Sequence, residues 1–288
     1  MFAVMTLTMA RKYITEQIKT IYDEGESTGI ADWVLEYLTG NGKPERASGK
    51  QILLTTGQKE KLELILFRLL KHEPVQYVLN ESWFGGLKFY VDKNVLIPRP
   101  ETEELVELII DNCKFPVNEL KILDIGSGSG CIPISLKRRL KKAEVWSCDV
   151  SNEALAVAQK NAAALGTTIN FILLDFLNEE QRGRLPLFDI IISNPPYVPE
   201  KDKETMKPNV LQYEPANSLF VPDNDPLVFY KAIAEFSKEH LNKAGSIYCE
   251  IHEDLGEAVV RLFNSYGFTT ELKKDMQQKD RMVKAVMS

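Results

Sequence analysis

The chain has 288 residues, of which 44% are hydrophobic and 26% are charged, a composition typical of folded globular proteins and not of disordered chains or coiled coils. At roughly 100 to 200 residues per domain, this length allows about two domains. The formal net charge of −6 and the pI of about 5.4 exclude the overall positive field that drives general nucleic-acid binding.

The sequence carries no signal for a membrane span, for secretion or for a metal site. No apolar run approaches the roughly 20 residues that a bilayer-spanning helix needs, and residues 1–10 lack the basic flank and apolar centre of a signal peptide. The four cysteines form no C-x-x-C pair and the three histidines are far apart, so neither zinc nor a disulfide framework is expected. We therefore expect a cytoplasmic protein without a bound metal.

Residues 1–80 have the apolar spacing of helices. Ile14 and Ile18 lie one helical turn apart, as do Leu62 and Leu66. The first 95 residues contain 12 Lys and Arg against 12 Asp and Glu, so this part of the chain is neutral. It is not expected to act as a basic nucleic-acid arm.

A short hairpin is predicted between the helical part and the rest of the chain. In residues 82–91, Gly85 and Gly86 separate two aromatic-rich segments, which is the composition of a β-hairpin. Farther along, Pro100 and the acidic residues after it favour the first turn of a helix. The predicted organisation is a helical domain at 1–80, a hairpin linker at 81–95 and an α/β domain at 96–288.

From residue 120, short β-branched runs alternate with helical segments. This alternation predicts a parallel sheet with helices on both faces, closed by an antiparallel pair at the end of the chain. The expected strands are 121–125, 144–148, 169–174, 188–193 and 246–250, with the closing pair at 269–273 and 282–286. The expected helices are 132–140, 153–165, 227–240 and 255–265.

A glycine-rich loop follows the first strand of this domain. Gly126, Gly128 and Gly130 lie between the strand and the next helix, where glycine permits a tight turn and lets a ligand approach the backbone. The spacing G-x-G-x-G differs from the dinucleotide fingerprint G-x-G-x-x-G. The loop is therefore either a ligand-binding turn or a plain tight turn.

Acidic side chains end the second and third predicted strands. Asp149 lies 21 residues beyond Gly128, where a carboxylate can bind both hydroxyls of a ribose; its alternative role is to cap the helix that begins near Asn152. Asp175 and Phe176 end the third strand at the same sheet edge, and could accept from the amine of an adenine and stack on its ring. Phe176 could equally be a core residue. The pattern indicates a nucleoside-bearing cofactor.

The fourth strand leads into Asn194-Pro-Pro-Tyr197, a tetrapeptide expected by chance in about one chain per thousand of this composition. The two prolines fix the turn and have no N–H to donate, so the Asn194 amide oxygen and the Pro195 carbonyl can both act as outward-facing acceptors. Two fixed acceptors suit a planar NH₂ group, on which Tyr197 could stack. The turn therefore predicts a substrate with such a group.

The loop Asp124-Ile-Gly-Ser-Gly-Ser-Gly130, the acid Asp149 and the Asn-Pro-Pro-Tyr turn resemble class I S-adenosylmethionine-dependent methyltransferases that act on an amino or amide nitrogen. Further segments narrow the resemblance to the HemK/PrmC protein-glutamine N-methyltransferases, from about residue 10 to the end of the chain. These segments are Glu73-Pro-Val-Gln-Tyr77, Trp83-Phe-Gly85, Leu96-Ile-Pro-Arg-Pro-Glu-Thr-Glu103 and Tyr213-Glu-Pro215.

The resemblance implies a Rossmann-like, mixed seven-stranded sheet with a small N-terminal helical domain for substrate recognition. It implies a monomer that transfers a methyl group from S-adenosyl-L-methionine to the glutamine of the Gly-Gly-Gln motif in class 1 peptide chain release factors. The products are the methylated glutamine and S-adenosyl-L-homocysteine, with no metal, membrane or direct nucleic-acid partner.

The resemblance also assigns the site residues. The cofactor residues are Gly126, Ser127, Gly128, Ser129, Gly130, Asp149, Asp175, Phe176 and Asn194. The catalytic residues are Asn194, Pro195 and Tyr197, and the substrate-binding residues are these three with Pro196, Arg99 and Glu101.

Three alternatives remain open at this point. The same tetrapeptide resembles that of DNA adenine methyltransferases, a sister enzyme methylates a glutamine of a large-subunit ribosomal protein, and a degenerate fold could serve only as a binding module. The whole chain is acidic and its N-terminal helical part is neutral, which argues against a DNA adenine methyltransferase. The chain also departs from the family pattern at Asn80, Asn217-Ser218 and Pro226, all in loops that flank the site.

Overall fold

The computed structural model describes residues 4–40, 52–113 and 120–287, which form two compact units. The first unit comprises residues 1–80 together with Lys207–Tyr213, and the second comprises Glu81–Met206 with Glu214–Ser288. Among the described helices, none has the length and apolar composition that a membrane crossing needs.

The first unit is helical. Within its described residues, the helices are α1 (Leu7–Ile18), α2 (Glu24–Thr39), α3 (Thr56–Leu69), α4 (Val75–Leu79) and the short helix Pro208–Tyr213. Side chains cap the first three at their N-termini, and Thr55 and Gln58 form a reciprocal capping box on α3. The apolar faces of these helices bury Ile14, Ile18 and Leu62 in one core, as the helical spacing predicts.

Asn80 ends α4 in the left-handed conformation, with φ of 54°. This is the position at which the family pattern usually has glycine. Asparagine is among the few other residues that adopt this conformation readily, because its short polar side chain can bond locally. The departure is thus compatible with the same helix end.

The second unit opens with the predicted hairpin. Strands β1 (Ser82–Phe84) and β2 (Leu87–Phe89) pair antiparallel around Gly85 and Gly86, which both have positive φ. Phe84 and Phe89 are buried in a core of this unit, so the hairpin that the sequence analysis set apart as a linker is packed into the α/β unit.

The remaining elements alternate as the sequence pattern predicts. In chain order they are α5 (Pro100–Asn112), β3 (Lys121–Ile125), α6 (Cys131–Arg139), β4 (Glu144–Asp149), α7 (Asn152–Ala164), β5 (Asn170–Leu173), the short helix Glu179–Arg182, β6 (Phe188–Ser193), β7 (Val198–Pro199), β8 (Phe220–Val221), α8 (Val228–His240), β9 (Leu241–Glu250), α9 (Gly256–Ser265), β10 (Phe268–Lys274) and β11 (Asp280–Met287).

Seven of these strands form one mixed sheet, in the order β10-β11-β9-β6-β3-β4-β5. The five strands from β9 to β5 are parallel, and β11 is antiparallel to both of its neighbours. Ile190 and Ile192 enter one core with α5 and α6, whereas Ile191 enters the other with α8 and α9. The predicted fold, a mixed seven-stranded sheet with helices on both faces, is confirmed.

The largest difference in element bounds is at β9, which begins at Leu241 and not at residue 246. Leu241 pairs with Phe188, the register then shifts, and Ser246 pairs with Ile190. The polar residues between them, which lie on this irregular stretch, interrupt the apolar pattern. The sequence therefore shows only the regular, buried end of the strand.

The sheet positions a crevice at the carboxyl ends of its parallel strands. From β3 the chain proceeds to β4 and β5 on one side, and β6 and β9 lie on the other. The strand order reverses beside β3, and such a switch point opens a crevice between the loops that leave neighbouring strands. Loops after β3, β4, β5 and β6 all reach this edge.

Candidate active site

A cleft of about 410 Å³ occupies this switch point, within the range of small-molecule sites. It brings together eleven of the residues that the sequence analysis assigned to the site: Arg99, Gly126, Ser127, Gly128, Ser129, Asp149, Asp175, Phe176, Asn194, Pro195 and Pro196. Of the assigned residues, Glu101, Gly130 and Tyr197 lie outside the lining that the described chain provides.

The glycine loop bends over the end of β4. Its Gly126 and Ser127 N–H groups both donate to the Cys148 carbonyl, at 2.9 and 3.0 Å. Gly126, Gly128 and Gly130 all have positive φ, between 51° and 89°, which explains the three glycines. A Cβ on Gly130 would also lie 3.2 Å from the Cβ of Ala158 in α7, so this glycine allows two helices to approach closely.

Gly130→Ala is expected to lower the free energy of unfolding by about 2 to 4 kcal/mol, because it adds a close contact to a left-handed backbone. Gly166→Ala is the matched control, since Gly166 has φ of 65° with open space around its Cβ position. The control is expected to lose only about 1 to 2 kcal/mol. Urea unfolding measures both, and equal losses would show that the contact with Ala158 contributes nothing.

Asp149 accepts two backbone hydrogen bonds at the end of β4. Its Oδ2 accepts from the Gly128 N–H and its Oδ1 from the Ser151 N–H, both at 2.9 Å. The side-chain cap of α7 is Ser151, whose hydroxyl accepts from Ala154. Asp149 thus supports the turn before the helix and also lines the cleft. Burial raises the pKa of its carboxyl group.

A second acidic side chain lies beneath the loop. Asp124 is fully buried in β3, and its Oδ2 accepts from the Ser147 hydroxyl at 2.6 Å. Burial raises the pKa of Asp124 to about 8. Its Oδ1 and the Ser129 hydroxyl are buried without a hydrogen-bond partner among the residues described, and Ser129 is the one of the two that lines the cleft.

Asp175 and Phe176 reach the cleft from the end of β5 with different degrees of exposure. Asp175 is exposed, and its Oδ1 accepts from the Leu177 N–H at 3.0 Å. Phe176 is only 5% exposed and packs edge-to-face on Phe236, with ring centroids 5.2 Å apart. Phe176 is therefore a core residue that also lines the cleft, and its contact with an adenine stays a prediction.

The Asn-Pro-Pro-Tyr turn follows β6 directly. The Ser193 hydroxyl donates to the Ile125 carbonyl at 2.8 Å, which ties the turn to β3. Asn194 donates from Nδ2 to the Thr102 hydroxyl at 3.0 Å. Within the described chain, the Asn194 Oδ1 and Pro195 carbonyl have no donor, so both acceptors remain available at the cleft.

Tyr197 is fixed beside the turn. Its hydroxyl donates to Glu250 at 3.1 Å, and its ring lies edge-to-face with His252 at 6.0 Å between centroids. Burial raises the pKa of the tyrosine well above its ordinary value. The hydroxyl is therefore a neutral donor to Glu250.

The segment before α5 contributes through an ion pair. Arg99 Nη2 contacts both carboxylate oxygens of Glu214, at 2.7 and 2.8 Å, and Glu214 also accepts from the Ile97 N–H. This pair joins two motifs that are 115 residues apart in the sequence. Arg99 lines the cleft and Glu214 is buried, so the pair anchors a cleft residue to the protein interior.

Two residues of the site, Thr102 and Glu250, were not predicted from the sequence. Thr102 lines the cleft, and its hydroxyl donates to the buried Glu250 carboxylate at 2.6 Å. The motif around Thr102 was recognised, but its neighbours Arg99 and Glu101 were assigned in its place. Glu250 ends β9, and an acidic residue at the carboxyl end of a central strand is the one signal that could have identified it.

The comparisons with known proteins identify the class of this site. The model of the methyltransferase small domain family matches residues 102–214, which include the glycine loop and the Asn-Pro-Pro-Tyr turn. A solved methyltransferase structure from Pyrococcus furiosus shares the fold, with a TM-score of 0.51 at 16% identity over 76% of this chain and 95% of that one. The protein is a methyltransferase.

Full-length relatives define the family more narrowly. The release factor glutamine methyltransferase of Flavobacterium psychrophilum is 44% identical over 277 residues, 95% of this chain and 96% of the relative. The enzyme of the same name from Bacteroides thetaiotaomicron is 40% identical, over 95% of this chain and 97% of its own. The chain therefore belongs to the release factor glutamine methyltransferase family.

Proposed function

We propose that this protein transfers the methyl group of S-adenosyl-L-methionine to the side-chain amide nitrogen of the glutamine in the Gly-Gly-Gln motif of class 1 release factors. The observation that carries the proposal is the pair of available acceptors, Asn194 Oδ1 and the Pro195 carbonyl, at the cleft of a protein from this family. A primary amide presents two N–H donors, which this pair matches.

The cleft residues fit the cofactor. Asp149 would hold the ribose hydroxyls, and Asp175 with the edge of Phe176 would hold the adenine. The Ser129 hydroxyl, which lines the cleft and is unmatched among the residues described, suits the charged amino-acid end of the cofactor. When bound, S-adenosyl-L-methionine supplies an electrophilic methyl group on a sulfonium sulfur. The described residues contain no cluster of three or more metal-ligating side chains, and the proposal includes no metal.

The protein's own residues orient the target. An amide nitrogen is a poor nucleophile because its lone pair is delocalised into the carbonyl, so the nitrogen must be aligned and polarised. Asn194 and Pro195 would each accept one amide proton and aim the nitrogen into the cleft. Proton loss follows bond formation, when the nitrogen becomes acidic, so no strong base is required beforehand.

The helical unit is proposed to bind the body of the release factor. A Gly-Gly-Gln loop alone offers little contact area, and no residue of the described cleft lining comes from residues 1–80. Helix α3 exposes Leu64 at 66% and Phe67 at 58% on one face, as a protein-binding surface would. Binding there would raise the local concentration of the loop at the cleft.

A substrate comparison tests the proposed function. Purified protein is incubated with labelled cofactor and, separately, with a class 1 release factor, large-subunit ribosomal protein and duplex DNA, and the products are analysed by mass spectrometry. A single methyl group on the Gly-Gly-Gln glutamine is expected. Methylation only of the ribosomal protein or of DNA adenine would refute the assignment.

The role of the helical unit is tested by the double change Leu64→Ala and Phe67→Ala. We expect it to raise the KM for intact release factor about tenfold. This corresponds to a loss of about 1 to 2 kcal/mol of binding free energy, as is usual when interface side chains are truncated. A short Gly-Gly-Gln peptide should be methylated as before. Leu187→Ala is the control, because Leu187 is a half-exposed leucine of the other unit. An equal change on peptide and whole protein would contradict the role.

A further inference from the structure

A continuous chain of hydrogen bonds runs behind the Asn-Pro-Pro-Tyr turn. It links Asn194 to Thr102 at 3.0 Å, Thr102 to Glu250 at 2.6 Å, and Glu250 to Tyr197 at 3.1 Å. Glu250 is 1% exposed, and its own carbonyl accepts from the Tyr230 hydroxyl at 3.0 Å. The carboxylate is therefore fixed through both its side chain and its backbone.

The direction of each hydrogen bond follows from which groups carry protons. Burial raises the pKa of Glu250, whereas the hydrogen bonds from Thr102 and Tyr197 and the positive charge of Arg281 oppose this shift and favour the ionised carboxylate, which only accepts. Each carboxylate oxygen receives one hydroxyl proton, Oε1 from Tyr197 and Oε2 from Thr102. Because Thr102 has a single hydroxyl proton and gives it to Glu250, its oxygen can only accept from Asn194.

This constraint reaches the cleft. The side-chain amide of asparagine has a donor end and an acceptor end of nearly the same shape, so packing alone does not choose between its two orientations. Since Thr102 only accepts, the NH₂ group of Asn194 must face Thr102. The Oδ1 atom is then the end left for the target. In the reversed orientation an NH₂ group would meet the NH₂ group of the target amide.

We propose that Thr102 and Glu250 are positioning residues that set the orientation of the Asn194 side chain, so that its acceptor faces the nitrogen to be methylated. The inference rests on the proposed function in so far as Asn194 binds the target NH₂ group. Glu250 acts through Thr102, and through the same carboxylate it holds Tyr197 beside the turn. Neither residue contacts the target in this scheme.

The first test reverses one hydrogen bond without changing the shape of the side chain. In Glu250→Gln, the one remaining oxygen accepts the Tyr197 hydroxyl proton, so the new NH₂ group faces Thr102. It donates to Thr102 and frees the Thr102 proton to donate to Asn194 Oδ1. We expect kcat to fall about 100-fold, as for a misplaced reacting group, with KM for the cofactor and the melting temperature nearly unchanged. Thr102→Val should also lower kcat strongly. Thr102→Ser keeps the hydroxyl and should therefore have a kcat close to that of the unchanged protein.

The second test combines two changes whose effects should cancel. In Asn194→Asp both side-chain oxygens accept, and with Glu250 intact no proton is available between Thr102 and the new carboxylate, so activity should be low. In the double variant Asn194→Asp with Glu250→Gln, the glutamine donates to Thr102, Thr102 donates to the new carboxylate, and its second oxygen faces the target. We expect the double variant to be at least about tenfold more active than Asn194→Asp.

The two tests separate this inference from the proposed function. Every variant is measured on whichever substrate the unchanged protein methylates, so an error in the substrate leaves the comparison intact. Rescue in the double variant, with all variants folded by circular dichroism, supports the inference, because a purely structural role for Glu250 predicts that the two losses add. A double variant no more active than Asn194→Asp, or an unchanged kcat in Glu250→Gln, overturns it.

Discussion

Asn194→Ala is expected to lower kcat on release factor by about 100- to 1000-fold, the loss seen when one oriented hydrogen-bonding group is removed from a transition state. The substitution removes the Oδ1 acceptor at the cleft and leaves Thr102 without its donor. The target amide would then be held by the Pro195 carbonyl alone. Cofactor affinity should change far less, because Asp149 and the glycine loop are untouched.

Single-turnover kinetics and calorimetry measure these two quantities separately. Asn217→Ala is the matched control, since Asn217 presents an exposed side-chain amide to the same cleft but lies outside the turn. It should retain kcat within a few fold. If Asn194→Ala and Asn217→Ala had similar activity, the position of the acceptor in the turn would be irrelevant and the mechanism would be wrong.

Asp149→Ala is expected to weaken the binding of S-adenosyl-L-methionine by about 10- to 100-fold. Hydrogen bonds to a charged group contribute roughly 1.5 to 3 kcal/mol each, and the ribose would lose this acceptor. The change also removes the acceptor for Gly128 and Ser151, so part of the loss comes from a looser loop. Calorimetry of cofactor binding measures the total effect.

Asp149→Asn separates the two contributions. It keeps one acceptor oxygen, which can serve either Gly128 or Ser151, but has no negative charge for the ribose. Affinity intermediate between wild type and Asp149→Ala is expected, with a smaller loss of melting temperature in the absence of cofactor. If both variants bound the cofactor as tightly as the wild type, Asp149 would be only a turn residue.

The fold was predictable because its signals are local. The alternation of short β-branched runs with amphipathic segments appears within windows of about ten residues, and the strands and helices of the second unit follow it closely. The glycine loop and the Asn-Pro-Pro-Tyr turn are local for the same reason, because each is a single bend at the end of one strand.

The partners of the site residues were not predictable in this way. Thr102 and Glu250 are 148 residues apart, and Arg99 and Glu214 are 115 apart, so neither contact leaves a periodic trace in the sequence. The sequence predicts a flat face for the target at Tyr197, but it does not reveal that the Tyr197 hydroxyl bonds to Glu250. Which residues meet at a sheet edge depends on strand order, and strand order is set by the tertiary packing of the whole domain.

The first unit is built from two distant parts of the chain, because the short helix Pro208–Tyr213 joins residues 1–80. Tyr213 donates to the Lys71 carbonyl at 2.7 Å within this unit. During synthesis the unit lacks this helix until strand β6 and the Asn-Pro-Pro-Tyr turn have been translated. A chimera that exchanges only the first 80 residues between relatives would therefore pair a new helical core with an unmatched helix, and recombination between family members should preserve the two segments together.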